Sequence, residues 1–225
     1  MTSAVSLPTN APPRAPTKWG DREGRRRDIL DAAQVQMAEG GYLALNMRDI
    51  ARGAGVSPGT LYQYFSTKEE IFATLYAAAI EAHNARIAPI CQQATDLEAF
   101  LGDIAVAYLD LYSTYGRYFT LWSALVTEGG SEDASLPVDL ARQLRHATFA
   151  GTDLMVSTMR RVAGPASPPR MIDQPLALTL LWTMLNGIGD HLTSERRHLT
   201  PFSGDQLITF TARTLAAGLL SPSAS

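Results

Sequence analysis

The chain has 225 residues and a mass of 24.3 kDa, enough for one larger or two smaller domains with buried cores. Hydrophobic residues make up 46% and charged residues 18%, which excludes a chain that is disordered throughout. No apolar run reaches the roughly 18 residues that cross a bilayer, and no secretion-signal pattern opens the sequence. We therefore expect a cytoplasmic protein with no membrane partner.

The net charge of -3 is unevenly distributed. Residues 14 to 68 hold nine Lys and Arg against six Asp and Glu, a balance of +3, whereas residues 71 to 225 hold ten against fourteen. Such a local excess of positive charge favours a phosphate-binding surface near the N-terminus. An ordinary solvated helix face gives the same pattern, so charge alone does not decide.

Helical periodicity dominates the sequence from residue 21 onward, and the predicted fold class is all-α. Residues 1 to 20 are rich in Pro, Ala, Ser and Thr and are predicted to be a disordered tail. In chain order, helices are predicted near 22–39, 47–54, 58–64, 68–87 (ending before Pro89), 96–115, 117–127, 137–162, 174–192 and 204–219.

The segment from residue 46 to 68 carries the strongest local signals. Asn46 is predicted to cap the second helix, with Asp49 reaching back to it in a capping box. Gly55 supplies the left-handed backbone of a tight turn. Ser57 is a good N-cap for the third helix, and Pro58 follows it where a missing N–H costs nothing. Two short helices joined by such a turn predict a helix-turn-helix.

The second helix of this motif, predicted at 58–64, is short and uncharged. Leu61 and Phe65 are predicted to face inward, while Arg48 and Lys68 bracket the motif with positive charge. The remaining side chains can reach base edges and phosphates: Thr60, Tyr62, Gln63 and Tyr64. The aromatic residues could instead be plain core, and the charged residues plain surface.

The run from Arg26 to Phe72 resembles the DNA-binding domain of the TetR family. Its matching positions are Ile29, Leu30, Ala33, Gly41, Tyr42, Ile50, Ala51, Ala54, Gly55, Val56, Gly59, Thr60, Leu61, Tyr62, Phe65, Lys68 and Glu69. The resemblance implies a three-helix DNA-binding domain over residues 21–70. The family usually has Leu where Gln34 and Gln36 stand, which predicts a more loosely packed first helix.

The same resemblance implies roles on double-stranded DNA with a pseudo-palindromic operator. Arg48 is expected to contact DNA, and Ser57 and Pro58 to lie at the start of the reading helix. Base-facing positions are Thr60, Gln63 and Tyr64, and phosphate-holding positions are Tyr62 and Lys68.

Residues 71–220 are expected to form a second helical body for dimerisation and effector binding, as the resemblance implies. The 175–192 stretch is also apolar on nearly every side, which favours burial against both the core and a partner. The predicted homodimer interface consists of Leu181, Leu185, Ile188, Ile208 and Leu215.

Aromatic and methionine side chains of this body predict a pocket for a small apolar or aromatic effector. The candidates are Tyr108, Tyr112, Phe119, Trp122, Met155, Met159 and Trp182. The same residues could simply fill a core. The resulting hypothesis is a repressor released from its operator by the effector. Activation, and a regulator without any ligand, stay open as alternatives.

An enzyme is the rival class, and the sequence offers little for it. There is no Gly-rich phosphate loop, no Gly-x-Ser-x-Gly and no pair of histidines at metal-ligand spacing. The lone Cys91 is expected to be a buried small residue rather than a redox sensor. No catalytic residue, metal or cofactor is predicted.

Overall fold

The computed structural model describes residues 21–116, 136–163, 174–199 and 201–220. Regular structure in these ranges is entirely helical, which confirms the all-α prediction. Short 3-10 helices cover Gly41–Ala44 and Glu195–His198. The α-helices are α1 (Arg22–Gly40), α2 (Met47–Gly53), α3 (Pro58–Tyr62), α4 (Lys68–Gln93), α5 (Leu97–Tyr115), α6 (Val138–Ala163), α7 (Gln174–Thr193) and α8 (Gly204–Leu220).

An N-terminal core joins α1 to α4. Ile29, Ala33 and Met37 recur at four-residue spacing on α1 and are buried against α2, α3 and the first half of α4. The same cluster extends to Tyr115 at the end of α5 and Leu144 on α6. Because α4 begins at Lys68, the expected domain boundary at residue 70 falls inside the first turn of this helix.

A second, C-terminal core is formed by α5, α6, α7 and α8 with the second half of α4. Its fully buried members include Ile87 of α4, Leu101 of α5 and Leu185 of α7. Since α4 contributes to both cores, it is a rigid link between the helix-turn-helix and the rest of the chain.

The prediction that α4 ends near Ile87 is wrong, because the helix continues through Pro89 to Gln93. Proline there removes one helical hydrogen bond. Burial of Ile87 and Cys91 on the C-terminal core outweighs that loss. Arg161 of α6 then donates to the carbonyl oxygens of Cys91 and Ala94, at 2.5 and 2.7 Å, and so caps the helix end.

Smaller differences concern the other helix ends. α3 stops at Tyr62 rather than residue 64, since Tyr64 and Phe65 donate backbone bonds to Leu61 in a closing turn. The predicted tail at 1–20 and the predicted helix at 117–127 lie outside the described residues. None of the helices in the described ranges is long and apolar enough to cross a membrane.

Candidate nucleic-acid interface and internal cavity

The turn between α2 and α3 has the geometry that its glycine predicts. Gly55 adopts φ +66°, the left-handed conformation. Its N–H donates to the carbonyl of Arg52 at 3.1 Å, and the N–H of Val56 donates to that of Ala51 at 2.9 Å. These two bonds form a Schellman motif, which ends α2 sharply and directs the chain into α3.

The N-cap of α2 is confirmed, but its predicted capping box is wrong. The Asn46 side chain accepts from the backbone N–H groups of Arg48 and Asp49. The Asp49 carboxylate pairs with Arg52 instead, at 2.9 Å, because that guanidinium lies one turn away. The Asn46 N–H donates to the Gln36 side chain at 2.9 Å. Gln36 therefore ties α1 to the start of α2.

α3 is anchored by two buried side chains and capped at its start. Leu61 is 0% exposed and Phe65 is 1% exposed, so both are buried in the N-terminal core as predicted. The Ser57 hydroxyl accepts from the Thr60 N–H at 3.0 Å and lies 2.8 Å from the Thr60 hydroxyl. α3 is thus held in one orientation with its outer face toward solvent.

That outer face carries the residues expected to touch DNA. Tyr62 is 55% exposed despite its large ring. Thr60, Tyr64 and Lys68 are partly exposed. Like Tyr62, the other exposed members of the predicted set are Arg48, Ser57, Pro58 and Gln63. The structure therefore leaves the whole set accessible on the outside of the helix-turn-helix.

The N-terminal turn of α1 adds two cations that sequence reasoning did not single out. Arg22 and Arg25 line an open groove with Ser57, Thr60 and Gln63. The Arg22 guanidinium also lies 5.9 Å from the ring centre of Tyr64. Both arginines belong to the positive charge balance of residues 14 to 68, which does not by itself distinguish them from the other basic residues there.

Lys68 lies at the start of α4, in contact with Tyr42. Its ammonium is 4.4 Å from the centre of the Tyr42 ring. The Tyr42 hydroxyl donates to the Glu69 carboxylate at 2.5 Å. Burial is the main cause that raises the pKa of Tyr42, and its hydrogen bond to Glu69 raises it further. Burial alone would raise the pKa of the Glu69 carboxyl, but the hydrogen bond from Tyr42 and other donors lower that pKa overall. The cation–π contact therefore holds the lysine ammonium against the Tyr42 ring at the start of α4.

A chain of aromatic rings leads inward from this point. Tyr42 meets Phe72 edge-on with centroids 5.3 Å apart, and Phe72 stacks on Tyr76 at 5.9 Å. Tyr76 in turn contacts Tyr115 at 5.5 Å. Tyr76 also forms part of the wall of an internal cavity.

This cavity lies between α4, α5, α6 and α7. Its volume is about 60 Å³, counted as the space that the centres of water-sized molecules can occupy. Its lining consists of Tyr76, Ile80, His83, Asn84, Ile104, Tyr108, Leu111, Thr148, Gly151, Thr152, Met155, Leu181, Trp182 and Leu185. Most of these side chains are apolar, and none of these described residues is an Asp, Glu, Lys or Arg.

The structure places only some of the predicted effector residues on this cavity. Tyr108, Met155 and Trp182 line it. Tyr112 is buried beside Gly116 and Gly189, with its hydroxyl 3.4 Å from Asp190, and Met159 is buried in the C-terminal core. Phe119 and Trp122 lie outside the described residues.

Most residues predicted for the dimer interface are buried inside the protomer. Exposure is 3% for Leu181, 0% for Leu185, 9% for Ile208 and 8% for Leu215, while Ile188 is partly buried. These choices need correction, because the C-terminal core already encloses the side chains. Among the described side chains of α7 and α8, the large apolar ones that are exposed are Leu180, at 48%, and Phe210, at 70%.

No cluster of His, Cys, Asp or Glu in the described ranges could hold a metal ion. The lone Cys91 is buried, and burial raises the pKa of its thiol. Within the described ranges, the polar surface around α3 and the mostly apolar cavity lined by α4 are the features on which we base a function.

Comparison with known proteins agrees with this geometry. Residues 29–75 match the family model of bacterial regulatory proteins of the TetR family. The HTH-type transcriptional repressor KstR2 of Mycobacterium tuberculosis is 44% identical over 52 residues, which cover 23% of this chain and 26% of that relative. This chain thus matches about a quarter of that repressor's length.

Two longer matches extend beyond the helix-turn-helix. The HTH-type transcriptional regulator BetI of Rhizobium meliloti is 31% identical over 138 residues, covering 60% of this chain and 67% of that protein. The structure of the regulator FadR from Bacillus subtilis, solved with stearoyl-CoA, has a TM-score of 0.55 at 18% identity and covers 87% of this chain and 97% of that one. The second match shows a shared fold. With its helix-turn-helix and helical C-terminal body, the chain belongs to the TetR family.

Proposed function

We propose that this protein is a DNA-binding transcriptional regulator that acts as a homodimer in the cytoplasm. The observation that carries the proposal is the outer face of α3, which exposes Tyr62 and Gln63 while Leu61 and Phe65 fix the helix from below. A reading helix must present polar groups in one rigid orientation to match base edges in the major groove.

The chemistry around α3 supports the same function. Gln63 carries the donor and acceptor pair that reads adenine in the major groove. Arg22 and Arg25 supply positive charge in the groove along α3, Arg48 is exposed on α2, and Lys68 is the first residue of α4. Phosphates are attracted both by these cations and by helix N-termini. We assign Gln63 and Thr60 to base contacts, and Lys68 and Tyr62 to phosphates.

Dimerisation follows from the reading of two half-sites. Two α3 helices fall on one face of a duplex only if a twofold axis relates them, which also makes the operator pseudo-palindromic. Leu180 and Phe210 are exposed on α7 and α8 and leave apolar surface uncovered in the protomer. We propose that these two helices meet their copies across the axis.

The cavity beneath α4 supports control by a small molecule. α4 carries Lys68 at one end and lines the cavity with Tyr76, Ile80, His83 and Asn84 in its middle. A ligand that prefers one arrangement of these walls shifts the population of α4 positions and so the spacing of the reading helices. We propose repression relieved by the ligand; the KstR2 match, named a repressor, supports this direction.

Selection from a library of random duplex DNA tests the function directly. The folded protein is expected to enrich an inverted repeat, and fluorescence anisotropy then measures its affinity for that site. Gln63→Ala should relax the preference at one base position in each half-site. Lys68→Ala should weaken all sequences alike and reduce the slope of log affinity against log salt by about 0.9 for each phosphate contact, or about 1.8 for a dimer.

Arg142→Ala is the matched control, because this arginine is exposed on α6 and pairs only locally with Asp139. It removes one positive charge per protomer without altering the proposed interface. If the folded protein enriches no sequence, or if the control weakens binding as much as Lys68→Ala does, the assignment of α3 as the reader is wrong.

A further inference from the structure

The described part of the cavity wall contains no group that carries charge at neutral pH. Among the lining residues that the structure describes there is no Asp, Glu, Lys or Arg. Burial raises the pKa of both Tyr76 and Tyr108, so these hydroxyls stay protonated. A charged ligand would be desolvated there without a counter-charge, which is costly. The cavity therefore selects an uncharged molecule.

Most polar side chains of the wall already donate their protons to the protein. Each has an acceptor within 3.0 Å. Asn84 donates to the Ala147 carbonyl at 2.7 Å, and Tyr108 to Asn186 at 2.6 Å. The two threonine hydroxyls donate within α6, Thr148 to Leu144 at 2.9 Å and Thr152 to Thr148 at 3.0 Å. The hydroxyls of Tyr108, Thr148 and Thr152 therefore offer oxygen lone pairs to a guest, while Asn84 keeps its second amide N–H and its carbonyl oxygen.

His83 is the strongest acceptor in this wall. It lies on α4, and its side chain hydrogen-bonds the backbone of Ala107 on α5. Burial first, and the positive charge of Arg86 second, lower its pKa. A neutral imidazole that donates from one nitrogen accepts at the other. His83 therefore has one ring nitrogen that can accept a hydrogen bond, on a residue that lines the cavity.

The size and the remaining wall limit the ligand further. One water needs roughly 10–15 Å³ of such space, so a cavity of about 60 Å³ suits a compact molecule. Three aromatic side chains, Tyr76, Tyr108 and Trp182, and several aliphatic ones surround it. A single ring is matched to that lining by size and by its apolar faces.

We infer that the cavity binds a small uncharged phenol, whose ring lies among the aromatic side chains and whose hydroxyl donates to His83. This inference rests on the proposed function, since it names the ligand class of the same regulatory site. It also predicts that an acid or a long acyl chain with a charged end is rejected.

Isothermal titration calorimetry with three matched probes, in the absence of DNA, tests the inference. para-Cresol carries the donor, para-methylanisole has it blocked by a methyl group, and para-toluate carries a negative charge in its place. We expect para-cresol to bind, para-methylanisole to bind about tenfold more weakly because the acceptor stays unpaired, and para-toluate to give no heat.

Two substitutions then locate the discrimination at His83. His83→Phe keeps a planar ring but removes the acceptor, and the preference for para-cresol over para-methylanisole should fall to within about twofold. His83→Gln retains an acceptor and should restore most of the preference. Circular dichroism establishes that each variant is folded.

The inference is overturned if para-cresol and para-methylanisole bind alike, if para-toluate binds best, or if none of the probes binds up to its solubility limit. The same preparation is assayed for operator binding. Loss of DNA binding with intact probe selectivity refutes the proposed function alone, and intact DNA binding without selectivity refutes the phenol site alone.

Discussion

Gly151 on α6 lies where the chain leaves no room for a side chain. A Cβ atom placed there would come within 2.3 Å of the Asn84 amide oxygen on α4. Asn84 can relieve this overlap only by rotating, which breaks its 2.7 Å hydrogen bond to the Ala147 carbonyl. We predict that Gly151→Ala loosens the contact between α4 and α6.

The magnitude follows from two opposing effects. Alanine gains about 0.8 kcal/mol over glycine inside a helix. The lost hydrogen bond costs about 1 kcal/mol, and the displaced rotamer about 0.5 kcal/mol. Gly151→Ala should therefore destabilise the protein by about 0.7 kcal/mol. The matched control Gly102→Ala on α5, whose Cβ would meet Ala212 at an ordinary 4.0 Å, should stabilise it by about 0.8 kcal/mol.

Urea unfolding followed by circular dichroism, at one fixed protomer concentration, measures both changes. Repeating Gly151→Ala in an Asn84→Ala background removes the overlap, and the substitution should then stabilise by about 0.8 kcal/mol. The resulting coupling energy of about 1.5 kcal/mol belongs to the Gly151 and Asn84 pair. A coupling near zero would refute the proposed close contact between the two helices.

Three further outcomes are expected. Leu61→Ala should cost about 2–5 kcal/mol of stability because it empties a fully buried position, whereas Tyr62→Ala should weaken DNA binding and leave urea stability within about 0.5 kcal/mol. Phe210→Asp should give a folded protein that light scattering shows to be a monomer. Leu185→Asp should give a chain that circular dichroism shows to be unfolded, because it buries an unpaired charge. A folded dimer in either case would contradict this arrangement. Because burial lowers the pKa of His83, the unfolded chain takes up a proton below about pH 6.5 that the folded chain resists, so the contribution of His83 to stability is full above that pH and falls as the pH drops. In urea titrations, His83→Gln should therefore lose less stability than the wild type between about pH 6.5 and 5. Parallel stability curves for the two proteins would contradict this role for His83.

Local sequence signals were enough to predict the helix-turn-helix to within a few residues. Its signals are local: a capping residue such as Asn46 or Ser57 acts on the next turn of chain, and Gly55 requires only its own backbone conformation. Four-residue spacing on α1 and α3 likewise fixed which side chains are buried. Such features depend on neighbours three or four positions away, so no distant contact was needed to find them.

The length of α4 was decided only by tertiary structure. Pro89 is a local stop signal, and burial of Ile87 and Cys91 against other helices overrode it. The capping of this end by Arg161 joins positions about 70 residues apart in the chain, which periodicity does not reveal.

The two faces of α7 were also beyond sequence reasoning. The helix is apolar nearly all round, so its pattern could not tell Leu185, which is enclosed in the protomer, from the exposed Leu180. For the same reason, the pattern could not distinguish Tyr108, which lies on the cavity wall, from Tyr112, which lies one turn away and packs against glycine backbone. Which apolar face meets the core and which stays free depends on where all the other helices lie, and only the packed fold contains that information.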